Sequence, residues 1–318
     1  MAATIDVVVP VHDKYELTSD CLSHLARQTV AHSVIVVDDG SSDGTPARLR
    51  EQWPQASVVE MGATRGYTRA VNRGVAAGSG EYVVLLNNDV QVHEDFLQRI
   101  VAPMQADARV GSVASLMLRP GGQTIDSVGV AADVTLAGYA RLQGRSAAEA
   151  ASVSPVLAGP EGTAGAYRRS AWEQAGGLDE TIRAYMEVLD LALRLRAAGW
   201  LSALAPDAAG VHLGSSSYGR RSAGQRRLAG FSRAYLLRRY GVLRSRAAAR
   251  ALFTEALVVT ADALLCHDAQ ATVGRIEGWR AAAAHKRHPP PPQDAIDRSI
   301  STRDSLALRA GVLRPGRD

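Results

Sequence analysis

The sequence predicts an α/β protein with a mostly parallel central sheet, a small antiparallel excursion and a C-terminal helical extension. Up to Leu116, short apolar runs rich in β-branched residues alternate with helical patterns, as expected of a parallel sheet with crossover helices. Glycines then punctuate short β-type segments between Gln123 and Leu142. From about Gly224 to Ala284 the apolar pattern becomes helical and the segment becomes basic.

The spacing of apolar residues assigns the individual elements of this fold. Short continuous apolar runs indicate strands buried on both faces, whereas apolar residues three or four apart indicate helices. The predicted strands are Thr4 to Val9, Ser33 to Val37, Ser57 to Glu60, Tyr82 to Leu86, Val110 to Leu116, Gly162 to Arg168 and Trp200 to Leu204. The predicted helices are Glu16 to Gln28, Pro46 to Gln52, Thr64 to Gly74, His93 to Met104, a short helix capped by Ser170, and Glu187 to Ala198. Val211 to Gly214 is predicted to be a loop.

Three regions follow from these patterns. Residues 1–220 are predicted to form the α/β domain, residues 221–288 a basic helical extension, and residues 289–318 a loosely ordered tail. Pro289 to Pro292 end the helical pattern, because proline lacks the N–H group that would continue a helix. The tail beyond them is polar and charged, which is typical of weakly ordered segments.

The composition indicates a globular protein of the cytoplasm. Hydrophobic residues make up 46% of the chain, yet no apolar run approaches the roughly 20 residues needed to span a bilayer. The N-terminus enters a strand directly, so we expect no signal peptide. The two cysteines, Cys21 and Cys266, are far apart in sequence, which argues for a reducing compartment and against a disulfide framework or a cysteine metal site.

The net charge of +4 is unevenly distributed. Ten arginines lie between Arg220 and Arg250 with no acidic residue among them, and apolar residues between Phe231 and Leu237 are interleaved with them. This spacing predicts a helix with an apolar stripe beside a basic stripe, which is typical of peripheral contact with an anionic membrane surface. The same residues also suit a solvated helical face, a grip on an anionic acceptor, or packing against the α/β domain. We expect no nucleic-acid partner.

The central functional signal is a strand that stops at polar residues. The apolar run from Tyr82 to Leu86 ends abruptly at Asn87, Asn88 and Asp89. In open α/β sheets ligands bind at the carboxyl ends of the strands, so Asp89 is presented at a rim where oxygen ligands can hold a hard cation. The alternative is a strand followed by an Asx-type turn that caps the next helix.

Several short motifs follow one another in a fixed order over about residues 4–215. They are Val8 to Val11, Val36 to Thr45, Gly66 with Ala70 to Gly74, Leu85 to Asp89, Gly165 to Arg169, Gly176 to Glu180, Tyr185 to Leu191 with Leu193-Arg194 and Gly199-Trp200, and Val211-His212. Together they resemble the family 2 glycosyltransferases, whose GT-A fold is a Rossmann-like α/β domain. The helical segments from Arg233 to Tyr240 and from Gly274 to Trp279 are similar to the tail of rhamnosyltransferase-like members.

The resemblance implies a donor site for a nucleotide sugar at the ends of the first strands. Asp39 would accept the N3–H of a uracil or thymine ring, which implies a UDP- or dTDP-sugar. Pro10, Val11 and His12 would line the nucleoside site beside it, although His12 alone is also an ordinary loop histidine. Two arginines that flank the next helix would approach the pyrophosphate, or would be solvated surface residues; they are Arg65 and Arg69.

The resemblance also implies a metal site for Mn²⁺ or Mg²⁺. Asp89 occupies the last position of the family's DxD motif, whose carboxylate binds the cation that bridges the two phosphates. Asn87 replaces the first acid of the motif and would hydrogen-bond the ribose, with Asn88 beside it at the donor site. His212 lies where many members place a histidine that completes the metal shell, although a lone loop histidine is an equally good interpretation.

The catalytic base is the point at which this sequence departs from the family. The position that normally carries the acid is Val188, within Glu187-Val188-Leu189-Asp190. One interpretation is that Glu187 turns inward and serves as the base. A second is that the acceptor needs little general-base catalysis, and a third is that the protein binds a nucleotide sugar without efficient turnover. Asp190 is the second candidate acid, but its spacing from Arg194 also suits a structural i,i+4 ion pair.

The sequence therefore predicts an inverting, metal-dependent glycosyltransferase acting on a cell-surface saccharide, a lipid-linked glycan or a natural product. A catalytically weak, glycosyltransferase-like subunit is the alternative. A nucleotidyltransferase would show a glycine-rich basic loop after the first strand, and Val11 to Lys14 contains no glycine. A dinucleotide-dependent dehydrogenase would carry a G-x-G-x-x-G motif there, and none is present.

Overall fold

The structure of the chain is a computed structural model that describes residues 4–152, 157–214 and 222–310. Its strands are β1 (Ile5–Val11), β2 (Ser33–Asp38), β3 (Ser57–Glu60), β4 (Tyr82–Leu86), β5 (Val90–Val92), β6 (Val110–Leu118), β7 (Ile125–Ser127), β8 (Val130–Ala132), β9 (Gly138–Ala140), β10 (Ala164–Arg168) and β11 (Leu201–His212). Its helices are α1 (Tyr15–Leu25), α2 (Thr45–Gln52), α3 (Tyr67–Ala77), α4 (Phe96–Ala106), α5 (Arg169–Ala175), α6 (Glu187–Ala197), α7 (Ala223–Arg239), α8 (Ala248–Cys266), α9 (Gln270–Ala281) and α10 (Thr302–Ala310). None of these helices is both long enough and apolar enough to cross a membrane.

One large sheet forms the centre of the α/β region. Its strand order is β3-β2-β1-β4-β10-β6-β11-β5, and β7 pairs with β6 off this path. β3, β2, β1 and β4 pair in parallel, as do β6 and β11, while β10 runs antiparallel between β4 and β6. β8 and β9 form a separate two-stranded hairpin. The arrangement confirms the predicted α/β class, with its mostly parallel sheet, its small antiparallel excursion and its helical extension.

The forward-running strands end at the same edge of this sheet. Val11 of β1 lies opposite Asp38 of β2, so these two strands finish together. β10 starts where β4 finishes, because Ala164 pairs with Leu86 in an antiparallel register. β11 reaches the same edge beside β6 and ends at His212. The loops after β1, β2, β4, β6 and β11 and the loop before β10 therefore meet along one rim.

Helices cover both faces of the sheet, and successive residues of β1 point to opposite faces. Val7 and Val9 pack on the face covered by α1 and α4, whereas Val8 packs on the face covered by α3, α5 and α6. All three valines are fully buried, and each stabilises the fold by about 1.5–3 kcal/mol through its removal from water. A Cβ atom added to Gly74 of α3 would lie 2.4 Å from Val8 Cγ1, so glycine is what allows α3 to approach the sheet this closely.

The structure differs from the sequence prediction at the end of β11. Val211 and His212 are predicted in a loop, but they are the last residues of β11 and pair with β5 in an antiparallel register. The prediction is wrong because β5, which has only three residues, is too short for its apolar pattern to be detected. A partner strand elsewhere in the chain therefore extends β11 to the rim.

Some helix boundaries also differ from the prediction. Ser170 is predicted to cap α5, but the helix begins at Arg169, so Ser170 lies in its first turn. The residue before the helix is Arg168, and no side-chain hydrogen bond caps this end. The helices predicted at Glu16 to Gln28 and His93 to Met104 are found at Tyr15–Leu25 and Phe96–Ala106.

The C-terminal tail differs from the prediction of a loosely ordered segment. Ser305 of α10 is fully buried, and its hydroxyl lies 2.6 Å from the Tyr139 hydroxyl. The Asp297 N–H donates a hydrogen bond to the Ala132 carbonyl at 2.8 Å. These partners belong to the β8–β9 hairpin, far away in sequence, so the polar composition of the tail does not reveal them. The rest of the predicted tail, residues 311–318, lies outside the described residues.

Within the extension, α7 and α9 pack with their backbones in direct contact. A Cβ atom added to Gly274 would lie 1.9 Å from the Arg227 carbonyl oxygen, and one added to Gly278 would lie 2.0 Å from the Phe231 carbonyl oxygen. Only glycine at these two positions permits the approach. Further along α7, the residues from Ala234 to Leu237 are also buried, and Tyr235 to Leu237 pack in a core cluster that includes Val130 of β8 and Leu189 of α6.

This packing removes much of the basic segment from solvent. Arg233 and Arg239 are buried. Ion pairs join three arginines of α7 to acids in or next to α8 and α9; the pairs are Arg226–Asp268, Arg227–Glu277 and Arg233–Glu255. The expectation of an exposed basic stripe on this helix is therefore wrong, and the packing alternative is the one that the structure supports. Arg220 and Arg221 lie outside the described residues.

Glu255 of α8 connects the helices of the extension through three arginines. Its carboxylate oxygens lie 2.7 Å from Arg233 Nε, 2.8 Å from Arg275 Nη2 and 2.6 Å from Arg309 Nη1. Burial raises the pKa of this carboxyl group, but the charges of the three arginines outweigh burial and hold the pKa well below its usual range. Removal of this single negative charge would leave the buried guanidinium of Arg233 without its ion-pair partner.

Glu255→Gln is expected to lower the free energy of unfolding by about 3–5 kcal/mol, because Arg233 loses its buried counter-charge. Chemical denaturation followed by circular dichroism measures this loss. The matched control is Glu277→Gln, whose carboxylate pairs with Arg227 at the surface and whose loss should leave the unfolding midpoint nearly unchanged. Equal losses in the two variants would contradict the central role of Glu255.

Candidate functional site

Asp39 follows β2 and fixes the loop that leads into α3. One of its carboxylate oxygens accepts the Arg65 N–H at 2.6 Å, and the other accepts the Gly66 N–H at 2.9 Å. Gly66 has a φ of 96°, a backbone conformation that favours glycine. These hydrogen bonds hold the start of α3 against the end of β2, so that both lie at the rim of the sheet.

The loop after β1 lies against the same residue. His12 Nδ1 lies 2.9 Å from the Asp39 carbonyl oxygen, and the Asp39 N–H donates to the Val11 carbonyl oxygen at 2.8 Å. Val11 is buried, Pro10 is half-buried and His12 is exposed. The structure thus brings together the four residues that the sequence predicts for nucleoside binding.

Asp89, His212 and Asp126 form a charged cluster at this rim. His212 Nε2 lies 3.4 Å from Asp89 Oδ1, and His212 Nδ1 lies 2.7 Å from Asp126 Oδ2. β11 carries His212 to this place because it pairs with β5, the strand that directly follows Asp89. Since the two ring nitrogens face different carboxylates, the imidazole lies between Asp89 and Asp126.

The cluster favours a positive charge on His212. Burial alone would lower the pKa of His212, but its hydrogen bonds to Asp126 and Asp89 and the charges of both acids outweigh burial and raise the pKa to about 10. Burial likewise raises the pKa of Asp126, but His212 and Arg119 outweigh it and leave that pKa lowered. The imidazolium therefore compensates two largely buried carboxylates at neutral pH.

The donor set of the cluster also suits a divalent cation. A carboxylate oxygen and an imidazole nitrogen that lie 3.4 Å apart can bind one ion together. Because a metal ligand must be a neutral imidazole, binding would release the proton from His212. Asp126 would then accept the hydrogen bond from Nδ1–H and leave Nε2 facing the ion, which is the usual arrangement of a carboxylate behind a ligating histidine.

A second group of ligand-type side chains, Asp179, Asp190 and His288, already has counter-charges. Arg194 Nε lies 2.8 Å from Asp190 Oδ2, and Arg239 Nη2 lies 3.9 Å from Asp179 Oδ2. Two carboxylates that face two guanidinium groups do not require a cation. Asp190 is also fully buried and has no access to a substrate, so the geometry favours its structural ion pair with Arg194 over a catalytic role.

Glu187, the first residue of α6, turns inward. Its side chain is buried, and Oε2 has no hydrogen-bond partner within the described part of the chain. Burial raises the pKa of Glu187 to about 7, and the charge of Glu161 acts in the same direction. Tyr185 and Met186 both have a φ of 64°, a left-handed conformation that is strained for non-glycine residues. This strained turn fixes the direction in which Glu187 enters the protein.

Glu187 lies beside the loop that precedes β10. A Cβ atom built on Gly162 would lie 3.8 Å from Glu187 Oε1. The Tyr67 hydroxyl, from the first residue of α3, donates to the Gly162 carbonyl at 3.2 Å. The next residue, Thr163, accepts the Asn87 N–H at 2.9 Å. This loop therefore connects Glu187 with the start of α3 on one side and with the end of β4 on the other.

Three further predicted residues have partners that change their interpretation. Asn88 Nδ2 donates to Thr18 Oγ1 of α1 at 2.9 Å, so this amide anchors the loop to a helix. Arg69 Nε lies 3.4 Å from Glu180 Oε2, and both Arg65 and Arg69 are exposed along an open surface depression. Arg65 contributes to the rim through its backbone N–H, whereas its guanidinium lies at the surface.

Asp126 and the loop at Gly162 are absent from the sequence prediction. Asp126 lies in β7, a strand of only three residues within the segment predicted as an antiparallel excursion. No motif surrounds it, so nothing in the sequence distinguishes it from the other acids. Gly162 is predicted only as the start of a strand, and its position beside Glu187 becomes visible only when β10 is found antiparallel to β4.

Comparison with known sequences agrees with the order of the motifs. A family model described as glycosyl transferase family 2 matches residues 6–175, more than half of the chain. The N-acetylglucosaminyl-diphospho-decaprenol L-rhamnosyltransferase of Mycobacterium tuberculosis is 31% identical over 211 residues, which cover 59% of this chain and 68% of that protein. Glycosyltransferase GlyG of Streptococcus pneumoniae is 28% identical over 119 residues, which cover 35% of this chain and 40% of that protein.

Solved structures share the architecture at low sequence identity. The mannosyltransferase PcManGT from Pyrobaculum calidifontis, in complex with GDP-Man and Mn²⁺, has a TM-score of 0.52 and 22% identity, with 88% of this chain and 85% of that chain covered. GalNAc-T7 with UDP, GalNAc and Mn²⁺ has a TM-score of 0.60 and 12% identity, with 98% of this chain and 58% of that chain covered. At these identities the likeness shows the fold alone. The matching family model and the shared GT-A architecture together show that this chain belongs to glycosyltransferase family 2.

Proposed function

We propose that the protein is an inverting, metal-dependent glycosyltransferase that moves a sugar from a UDP- or dTDP-sugar to a hydroxyl group of a lipid-linked glycan. The observation that carries this proposal is the position of Glu187. Its buried carboxyl group faces the loop at Gly162. In the same loop the Thr163 carbonyl accepts the N–H of Asn87, which is two residues before Asp89. One rim thus holds a candidate base and a candidate cation site, the two groups that such a reaction uses.

The donor is held through the loops after β1 and β2 in this proposal. Each Asp39 carboxylate oxygen already accepts one backbone N–H, and each retains a lone pair with which to accept the N3–H of a uracil or thymine ring. Pro10, Val11 and His12 would line the nucleoside beside it. The solved relatives support this class of donor, because one holds GDP-Man and another holds UDP.

Asp89 and His212 are the proposed ligands of Mn²⁺ or Mg²⁺, and Asp126 orients the histidine. When bound, the metal supplies positive charge that stabilises the departing diphosphate. The imidazole favours Mn²⁺ over Mg²⁺, which prefers oxygen ligands, and both solved relatives contain Mn²⁺. Asn87 would hydrogen-bond the ribose of the donor.

Glu187 is the proposed base that removes the proton from the attacking hydroxyl. Val188 occupies the position where the family normally carries an acid, and its Cγ1 would lie 3.7 Å from a Cβ atom on Gly162. The two neighbouring side chains therefore face the same loop, so a carboxyl group is present next to the usual position. A base with a pKa of about 7 is substantially ionised at neutral pH and still accepts a proton readily.

The proposed acceptor class rests on a relative. The M. tuberculosis protein, which matches over half of this chain, is named for a decaprenol-linked N-acetylglucosamine acceptor and for transfer of L-rhamnose. We infer a lipid-linked glycan here by analogy.

Both cysteines are free, which supports a reducing cytoplasm as the site of the reaction.

A second candidate function is a donor-binding subunit with weak turnover. The observation that favours it is Val188, which removes the family's usual base from its position. This candidate shares the metal and nucleotide sites but predicts little catalysis. Wild-type protein that binds UDP with Mn²⁺ and neither transfers nor hydrolyses the sugar would favour it.

Asp89→Asn is expected to abolish the Mn²⁺-dependent rise in melting temperature that UDP produces, because the amide is a poorer cation ligand than the carboxylate. A thermal-shift assay with UDP, in the presence and absence of Mn²⁺, measures this effect. The control is Asp207→Asn, at an exposed acid outside the cluster, which should retain the full shift. An unchanged Mn²⁺ response in Asp89→Asn would remove Asp89 from the metal site.

Asp126→Ala is expected to weaken Mn²⁺ binding by about 10–100-fold, the usual effect of losing the partner that orients a ligating histidine. Isothermal titration calorimetry in the presence of UDP measures it. In the metal-free variant the pKa of His212, followed by NMR, should fall from about 10 because one of the acids that raise it is gone. Asp126→Asn should bind Mn²⁺ better than Asp126→Ala, since its carbonyl oxygen can still accept the Nδ1–H. Equal affinity in all three proteins would refute the role of Asp126.

Glu187→Gln is expected to lower kcat by roughly 10²-fold or more with little change in donor affinity, as expected for loss of a general base. In the wild-type enzyme kcat/KM should rise with pH through about 7, because the carboxyl group must ionise before it can accept a proton, and this rise should be absent from the variant. The control is Glu173→Gln, at an exposed position of α5. Full turnover in Glu187→Gln would point to another base or to an acceptor that needs none.

A further inference from the structure

α8 exposes large apolar side chains along one face. Leu252, Phe253, Leu257 and Leu264 are between 43% and 69% exposed, and Leu265 beside them is 78% exposed. Spacings of four and seven residues place Phe253, Leu257 and Leu264 on one side of the helix, and Leu252 lies at one edge of that side. The residues between them on this side are also uncharged; they are Ala256, Thr260 and Ala261. We call the side formed by Leu252, Phe253, Leu257 and Leu264 the α8 face.

The opposite side of α8 is polar or small. Thr254 and Ala251 are fully buried, and the inward Glu255 binds the three arginines described above. The helix therefore reverses the ordinary distribution, in which apolar side chains face the interior and polar side chains face water. Within the described part of the chain no segment covers the α8 face. The twelve-residue span from Leu252 to Leu264 is about 18 Å long, and an apolar helix face of this length marks an interaction surface rather than a scatter of single residues.

Exposed cations gather at the N-terminal end of this face. Arg244 and Arg246 lie in the turn that precedes α8. Arg287 reaches the same turn, since its Cδ lies 3.8 Å from a Cβ atom built on Gly241. Lys286 is adjacent to it, and the Lys286 carbonyl accepts a hydrogen bond from Arg239 at the end of α7.

Arg298 lies near the same end of α8. The Arg250 guanidinium, in the first turn of α8, donates to the carbonyl oxygens of Ile300 at 2.9 Å and of Ser301 at 3.1 Å. We call the five exposed cations the basic cluster; they are Arg244, Arg246, Lys286, Arg287 and Arg298. None of them forms an ion pair with a described residue, unlike the arginines of α7.

We propose that the α8 face and the basic cluster together dock the protein on an anionic lipid bilayer. The apolar side chains would enter the boundary between headgroups and acyl chains, and the five cations would contact the negative headgroups. Residues 222–310 contain fifteen lysines and arginines against seven acids, so the complementary partner is negatively charged. A second copy of this chain carries the same positive charge and is therefore the poorer occupant.

This docking surface replaces the one that the arginine-rich sequence of α7 suggests. It agrees with the acceptor class proposed above, but it does not depend on the sugar transfer, because vesicle binding is measured without donor or acceptor. Failure of docking and failure of the proposed reaction are therefore distinguishable in separate assays.

The test is co-sedimentation of the full chain with vesicles. We expect binding to vesicles of equal parts phosphatidylcholine and phosphatidylglycerol, weaker binding at high salt, and none to phosphatidylcholine alone. The double variant Leu252→Gln, Phe253→Gln should reduce binding at least tenfold. The matched control Phe253→Leu keeps the face apolar and should bind as the wild type does. Arg244→Glu combined with Arg246→Glu should also weaken binding, whereas Arg109→Glu, at an exposed arginine of the α/β region, should not.

Each variant must keep the circular dichroism spectrum and the melting temperature of the wild type, which shows that the fold is intact. The proposal is overturned if wild-type protein ignores anionic vesicles at low salt, or if the double glutamine variant binds them as tightly as the wild type. It is also overturned if light scattering shows a wild-type dimer that the glutamine substitutions dissociate, since a second copy would then cover the α8 face.

Discussion

The edge at which β1, β2, β4, β6 and β11 end is the constraint on which the rest of the structure depends. Parallel strands present their carboxyl ends together, so Asp39, Asp89 and His212 come to one rim although the chain separates them widely. β10 runs in the opposite direction and brings its N-terminal loop, at Gly162, to the same rim. Through this reversed strand Glu187 of α6 is connected to residues that the forward strands supply.

The rim also concentrates backbone strain and buried charge. Two pairs of non-glycine residues have left-handed backbones immediately before helices; they are Asp13 and Lys14 before α1, and Tyr185 and Met186 before α6. Such residues cost about 1–3 kcal/mol each and persist only where the surroundings fix them. The rim also holds the imidazole of His212 between two acids and a buried carboxyl oxygen of Glu187 without a partner among the described residues. The strained backbone and the buried charges at the rim therefore lower the stability of the fold at the place where polar groups could contact a ligand.

The sequence predicts most elements of the α/β region because their apolar patterns are long enough to be detected. Tyr82 to Leu86 is continuous and wholly buried, so both the strand and the position of Asp89 at its end follow from the sequence. The end of β11 and the role of Asp126 do not follow, since they depend on β5 and β7, which have three residues each. The charge neutralisation of the arginines in α7 could not be predicted either, because their partners are distant in sequence. Glu255 neutralises Arg233 and Glu277 neutralises Arg227, and no local sequence pattern indicates these pairs.

The same pairing explains why the apolar surface lies on α8 and not on α7. Because Glu255 faces three arginines, the side of α8 that carries it is fixed toward the interior, and Phe253 and Leu257 on the opposite side face outward. The buried charges of the extension and its exposed apolar face are therefore two consequences of one arrangement. A transferase that joins a water-soluble nucleotide sugar to a lipid-linked acceptor needs a polar rim for the first and an apolar surface near the second. In the function proposed here, the strand ends would supply the rim and α8 would supply the surface.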